Sequence, residues 1–179
     1  MANDNQAIKL LILDDSQNNA ERMVSLLRNA GHATRAHRVT SIEDLQECLQ
    51  QNWDICLAQT ETSYMTAEDA ITLIKRQSRD IPFILLKPEI DLEMRTEALR
   101  SGMTDAVPHD ADVLLTLIVD RELANLNARR QRRIVEQTLR EAEKRCQLLL
   151  DSSVDAIAYV HDGMHIYTNR AYGELFGYE

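Results

Sequence analysis

Cysteine is scarce in this chain. Cys48, Cys56 and Cys146 are its only three, widely spaced along 179 residues. A disulfide framework or a cysteine-built metal site needs clustered cysteines, so the pattern argues against both and suits reduced thiols in a cytoplasm. Long apolar runs are missing too. Nothing approaches the roughly 20 apolar residues of a membrane span, and the polar start MANDNQ (1–6) lacks the apolar centre of a signal peptide. Positive charge is in deficit: the formal net charge is -9, which argues against nucleic acid as a partner because its phosphates would be repelled. No P-loop, nucleophile-elbow or zinc-ligand spacing occurs, so there is no positive case for an enzyme, and no cofactor is expected. Glycine and proline, few overall, are absent from all 40 residues between Ala111 and Leu150. One uninterrupted helix of that length would measure about 60 Å.

What is there is a regular alternation. Ile8 to Leu13 is an apolar run broken only by Lys9, as expected of a strand buried on both faces of a parallel sheet, and it stops at Asp14-Asp15. Ala20, Met23, Val24 and Leu27 then recur at helical spacing within Ser16 to Ala30, and Gly31 reads as a C-cap. Ala33 to Val39, carrying Arg35 and Arg38, predicts an edge strand. Thr40-Ser41-Ile42-Glu43 predicts a capping box, followed by a face of Ile42, Leu45, Cys48 and Leu49. Asp54 to Gln59 is a third strand. A third helix buries Ala70, Ile71, Ile74 and Leu73, Pro82 to Leu86 forms the fourth strand, and a fourth helix runs from Asp91 to Arg100 and ends at Gly102. Asp105 to Val107 is a short fifth strand. Five strands alternating with helices in about 110 residues predict an α/β, flavodoxin-like (βα)5 fold with a parallel sheet ordered 2-1-3-4-5. Chemistry would then sit at the carboxyl ends of the strands, where Asp14, Asp15 and Gln59 lie.

Over residues 7–125 this pattern resembles a two-component receiver domain. LLILDD (10–15) supplies the two adjacent acids, Asp14 and Asp15, with which receivers hold magnesium. Resemblance places the phosphoacceptor at Gln59, the hydroxyl residue that ends strand four at Lys87 (IPFILLK, 81–87), and the lysine after strand five at His109 (SGMTDAVPHD, 101–110). Lys87-Pro88 offers a second register, but it leaves the G-x-x-D motif at 102–105 unexplained and the sheet one strand short. Three chemical positions are thus replaced. A carboxamide at position 59 cannot accept a phosphoryl group, because its oxygen carries no full charge and its nitrogen only donates hydrogen bonds. Asp14 and Asp15 are either a remnant of a magnesium site or caps of the following helix. An ammonium from Lys87 is expected to neutralise them without any ion. His32 and His37 are expected on the surface near the edge strand, and His161 and His165 flank an Asp162-Gly163 hairpin turn.

Residues 126–150 read as a helical linker. Before it, within the receiver, the same uninterrupted helix offers Val113, Leu114, Leu117 and Ile118 to the core. From Ala128 the seam Ala128, Arg132, Val135, Leu139, Ala142, Cys146 and Leu149, apolar but for Arg132, follows a 4-3-4-3-4-3 spacing, which predicts a parallel coiled-coil homodimer. Residues 151–179 resemble the opening of a PAS domain: a strand at Ala156 to Val160, the Asp162-Gly163 turn, a strand at Ile166 to Asn169, and the motif Leu175 to Tyr178. A whole PAS domain needs about 100 residues, so the resemblance implies the N-terminal piece of a longer signalling protein. Degenerate receiver, helical linker and PAS in this order resemble the FimX-like family of receiver-PAS-GGDEF-EAL cyclic di-GMP signalling proteins. That resemblance implies a non-phosphorylatable, dimerising input module with a protein partner at the cell pole and a role in type IV pilus assembly and twitching motility. Two alternatives stay open: a receiver that still responds to phosphate or metal through another residue, and a dimer formed through the face of helix four, strand five and helix five.

Overall fold

The computed structural model describes residues 7–77 and 79–177, and the chain divides into two compact units, one ending at Ala128 and one beginning at Arg129. The starting hexapeptide and Tyr178 of the sequence motif lie outside the described residues.

The first unit runs β1 (Ile8–Leu13), α1 (Gln17–Asn29), β2 (Thr34–Arg38), α2 (Ile42–Cys48), β3 (Ile55–Gln59), α3 (Ala67–Arg76), β4 (Phe83–Lys87), α4 (Leu92–Ser101) and β5 (Asp105–Pro108), after which α5 (Asp112–Asp151) begins. Its five strands pair in parallel in the order β2-β1-β3-β4-β5, the flavodoxin-like arrangement the sequence predicts. Because side chains alternate across a strand, each central strand feeds two cores. Leu11, Leu13, Cys56, Ala58, Phe83 and Leu85 pack against α2, α3 and α4, whereas Leu10, Ile12, Ile55, Leu57, Ile84 and Leu86 pack against α1 and α5. Each such fully buried aliphatic side chain contributes about 1.5–3 kcal/mol.

Two local readings are corrected. Helix α5 buries Leu115, Ile118, Val119, Glu122 and Leu126, the first three of them in the core shared with the sheet. Val113 and Leu117, expected in the core, are 77% and 60% exposed, and Leu114 is also exposed. The helix carries two adjacent apolar rows, and spacing alone does not say which one meets the sheet. At α2 the N-cap is Ser41, not Thr40. Ser41 Oγ accepts from the Asp44 N–H, and the Asp44 carboxylate reaches back to the Thr40 N–H and hydroxyl. The capping box therefore stands one residue later, with Asp44 in the place foreseen for Glu43, and Ile42 lies on the exposed side.

Gly102 closes α4 at φ +86°, and a Cβ built there would meet the Lys75 ammonium, which donates to the Ser101 carbonyl at 2.7 Å. Gly102→Ala is expected to destabilise the first unit by about 1–2 kcal/mol through left-handed strain and displacement of Lys75. A urea midpoint equal to that of the parent would refute this.

In the second unit, β6 (Ala158–His161) and β7 (Met164–Thr168) form an antiparallel hairpin, followed by α6 (Arg170–Phe176). Asp162 and Gly163 both take positive φ, 49° and 78°, as a two-residue hairpin turn requires. Buried Asn169 fills all four of its amide hydrogen-bonding sites. It accepts from the Ile157 and Tyr172 N–H groups and donates to the Leu150 and Asp155 carbonyls, which fixes the hairpin base to the end of α5.

Candidate functional site

The carboxyl ends of β1, β3, β4 and β5 bring Asp14, Asp15, Gln59, Lys87 and His109 to one edge of the sheet. Asp14 is buried at 3% exposure, and both of its carboxylate oxygens are occupied by donors. Oδ1 accepts the Ser16 N–H at 2.7 Å, while Oδ2 accepts from Nε2 of Gln59 at 3.1 Å. Asp15 points outward, and its two oxygens accept the N–H and the hydroxyl of Ser63 at 2.8 and 2.9 Å. Ser63 belongs to a tight loop held by the Thr62 N–H and hydroxyl on the Met65 carbonyl. The Arg38 guanidinium donates to the main-chain carbonyls of Asp14 and Asp15. Tyr64 donates to the Val39 carbonyl at 2.7 Å, and burial pushes its phenol above the usual range.

The expected Lys87 contact is not made. Among the described residues the Lys87 side chain forms no ion pair or hydrogen bond. The strand order explains why: β3 lies between β1 and β4, so Lys87 stands two strands from Asp14, roughly 10 Å at ordinary spacing. Gln59, on the intervening strand, meets the acid first. His109 is fixed through its backbone, with its N–H on the Lys87 carbonyl at 2.8 Å and its carbonyl accepting from Arg22, which also pairs with Asp112 at 2.7 Å.

This arrangement does not fit a magnesium ion. A magnesium site presents free carboxylate oxygens to a strongly hydrated cation. Here every carboxylate oxygen of Asp14 and Asp15 already accepts an N–H or O–H, and the third position presents an amide whose NH2 faces the acid. The repulsion between two neighbouring carboxylates is relieved by neutral donors.

Sequence reasoning missed a second cluster. His37, expected on the surface, is half-buried, and its Nε2 lies 2.9 Å from Asp44 Oδ1; the Cys48 thiol donates to the same oxygen at 3.6 Å. Burial, and then the Asp44 carboxylate, push the Cys48 thiol up to about 11. Burial would raise Asp44 as well, but hydrogen bonds from Thr40 and His37 outweigh it and hold the carboxyl below its ordinary value. Cys56 is raised by burial alone. The only local signal was the i,i+4 pair Asp44 and Cys48; His37 joins them only once the chain turns from β2 into α2.

No family model matches the chain. A curated relative, the phosphoglycerate transport system transcriptional regulatory protein PgtA of Salmonella typhimurium, is 27% identical over 140 residues, covering 75% of this chain and 33% of its own length. The chain thus spans about a third of that relative. Among solved structures, the receiver domain of a signal transduction histidine kinase from Syntrophus aciditrophicus is 25% identical, covers 66% of this chain and 92% of its own, and superposes with a TM-score of 0.56. The receiver domain of an HD domain-containing protein from Pseudomonas fluorescens is 19% identical over 74% of this chain and 98% of its own, with a TM-score of 0.61. A third, from a Pseudomonas aeruginosa sensor histidine kinase with magnesium coordinated in its active-site cleft, is 20% identical over 66% of this chain and 98% of its own, at 0.54. The chain has the receiver-domain fold.

Proposed function

We propose that this chain is a receiver-like regulatory module that is not switched by phosphorylation at Gln59, and that it serves as the dimerising, partner-docking input unit of a longer FimX-like cyclic di-GMP signalling protein. One observation carries the reading: Nε2 of Gln59 donates to the buried Asp14 carboxylate at 3.1 Å. Phosphoryl transfer needs an anionic oxygen at that position and a divalent cation on the acids beside it. The glutamine supplies neither the nucleophile nor an open carboxylate, and its amide bridges β3 to β1 as a static strut. Domain order and the hairpin after α5 support a PAS opening, and with it the longer protein and its role at the pole in pilus-driven motility. The relative from Salmonella, a transcriptional regulator, is consistent with a signalling role more broadly.

Incubation with acetyl phosphate and magnesium, followed by intact mass, is expected to give no added phosphoryl group; a gain of one would favour a receiver modified at another residue. Magnesium alone is expected to leave the backbone amide shifts of residues 13–16 and 59–63 in place. Gln59→Asp by itself is expected to remain unphosphorylated. Position 109 would still offer an imidazole, shorter than a lysine and without its three donors, and position 87 an ammonium where receivers have a hydroxyl. Phosphorylation of Gln59→Asp under the same conditions would refute the weight given to those two replacements.

A further inference from the structure

We propose that His37, Asp44 and Cys48 form a transition-metal site on the flank of the receiver fold, taking a zinc-class divalent cation in tetrahedral coordination with water as the fourth ligand. The nitrogen, oxygen and sulfur donor atoms all lie within 4.8 Å of one another. Around a tetrahedral zinc, donor atoms of these types stand about 3.4–3.6 Å apart, given bond lengths near 2.0–2.3 Å. The Cys48 Sγ to Asp44 Oδ1 separation is already 3.6 Å, and His37 Nε2 to Asp44 Oδ1, at 2.9 Å, has to open by a few tenths.

The Asp44 carboxylate is also held in place for the cation. Asp44 divides its work: Oδ2 caps α2 by accepting the Thr40 N–H and hydroxyl, which locks the carboxylate plane and leaves Oδ1 facing Nε2 and Sγ. That is the supporting hydrogen bonding that fixes ligands in built metal sites. Asp44 and Cys48 sit one turn apart on α2, and His37 comes from the edge strand β2, so the ligands sit on two rigid elements. A cavity of about 360 Å³ opens beside them, lined also by Glu47, Lys9, Arg35 and Trp53, with room for a water ligand. In the charge count of that lining, Glu47 offsets one of the two cations, Lys9 and Arg35. Mixed imidazole, carboxylate and thiolate donors select zinc or cobalt over magnesium or calcium. On binding, the Cys48 S–H bond breaks, its proton leaves to solvent, and the sulfur lone pair forms the metal–sulfur bond. His37 gives up to solvent the Nε2 proton it shares with Asp44, carries its remaining ring proton at Nδ1, and offers the Nε2 lone pair to the metal.

The single tryptophan, Trp53, reports on this site: its indole N–H donates to the Cys48 carbonyl at 2.7 Å, and its ring lies 6.1 Å from that of His37. Metal-free protein is to be titrated with zinc and with cobalt in excess magnesium. Expected are one zinc retained per chain after desalting, a sulfur-to-cobalt charge-transfer band, and quenching of Trp53 by cobalt. His37→Gln and Cys48→Ser, checked by circular dichroism, should each weaken binding at least about 100-fold, whereas Cys146→Ser should leave it unchanged. The cobalt spectrum of the parent protein is diagnostic even where a variant folds poorly. The site is overturned by the absence of stoichiometric zinc and of the cobalt–sulfur band, or by metal that survives both ligand changes or departs with Cys146.

Discussion

Asp105→Ala is expected to be among the most destabilising single changes in the first unit, at about 2–3 kcal/mol, which corresponds to a fall of roughly 8–12 °C in its melting temperature. The carboxylate is 3% exposed and gathers four donors: Arg95 Nε at 2.8 Å and Nη2 at 3.1 Å, Arg121 Nη2 at 3.0 Å, and the Ala106 N–H at 2.9 Å. It ties α4 and α5 to β5, so its loss loosens three elements at once. The magnitude stays below that of a fully buried ion pair because the arginine side chains are 42% and 51% exposed and rehydrate when the acid is gone. Burial would raise the Asp105 carboxyl, but the hydrogen bonds from Arg95, the Ala106 N–H and Arg121 outweigh it and hold it below the usual range. A carboxyl lowered by folding contributes its stability above its unfolded value, near 4, and loses it as pH falls through the lower folded value. Urea midpoints of the parent and Asp105→Asn should therefore stand well apart at pH 6 and converge as the pH is lowered below 4. A gap independent of pH would mean that Asp105 acts through shape and not charge.

How much of this was legible in the residues follows from the range of the interactions involved. The strand order was readable because β1, β3 and β4 are short continuous apolar runs bounded by polar residues, and parallel, right-handed crossovers leave few topologies. The place of Gln59 at the end of β3 was readable for the same reason: it ends a strand whose register is set by its own apolar residues. Its partner was not. Lys87 and Gln59 both stand at strand ends, and only the lateral order of the sheet decides which one reaches Asp14. Ser63, which holds Asp15 from 48 residues away, leaves no local trace. Helix α5 failed differently, since both of its apolar rows satisfy a helical period and the choice is made by the sheet it covers. The cluster of His37, Asp44 and Cys48 was hidden because its members meet only when the chain turns from β2 into α2, at a spacing that matches none of the common zinc motifs.

Mild oxidation is expected to convert the protein into a covalent dimer through Cys146. Val135, Leu139 and Leu149 are 64%, 57% and 66% exposed along α5, and Cys146 is an exposed free thiol on the same row. If two such helices pair in parallel and in register, inward Cys146 residues face each other near the 4.4–6.8 Å Cα separation that a disulfide tolerates. Cys146→Ser should abolish the crosslink on a non-reducing gel. Cys48→Ser and Cys56→Ser should keep it, because both thiols are buried in the first unit and neither lies on the seam. Arg132, the one charged seam residue, pairs with Glu136 at 2.7 Å along its own helix and can remain at the margin of the contact. Leu139→Asp places a carboxylate inside the seam at a cost of about 3 kcal/mol or more, over a hundredfold in the dissociation constant. Light scattering should then report monomer, while the melting of the first unit is unchanged, because residue 139 lies beyond Leu126, the last buried residue of α5. A dimer that survives Leu139→Asp without any Cys146 crosslink would have to form elsewhere. The row left uncovered by the true orientation of α5, Val113 and Leu117, with Leu92 of α4, would then be the apolar surface to mutate next.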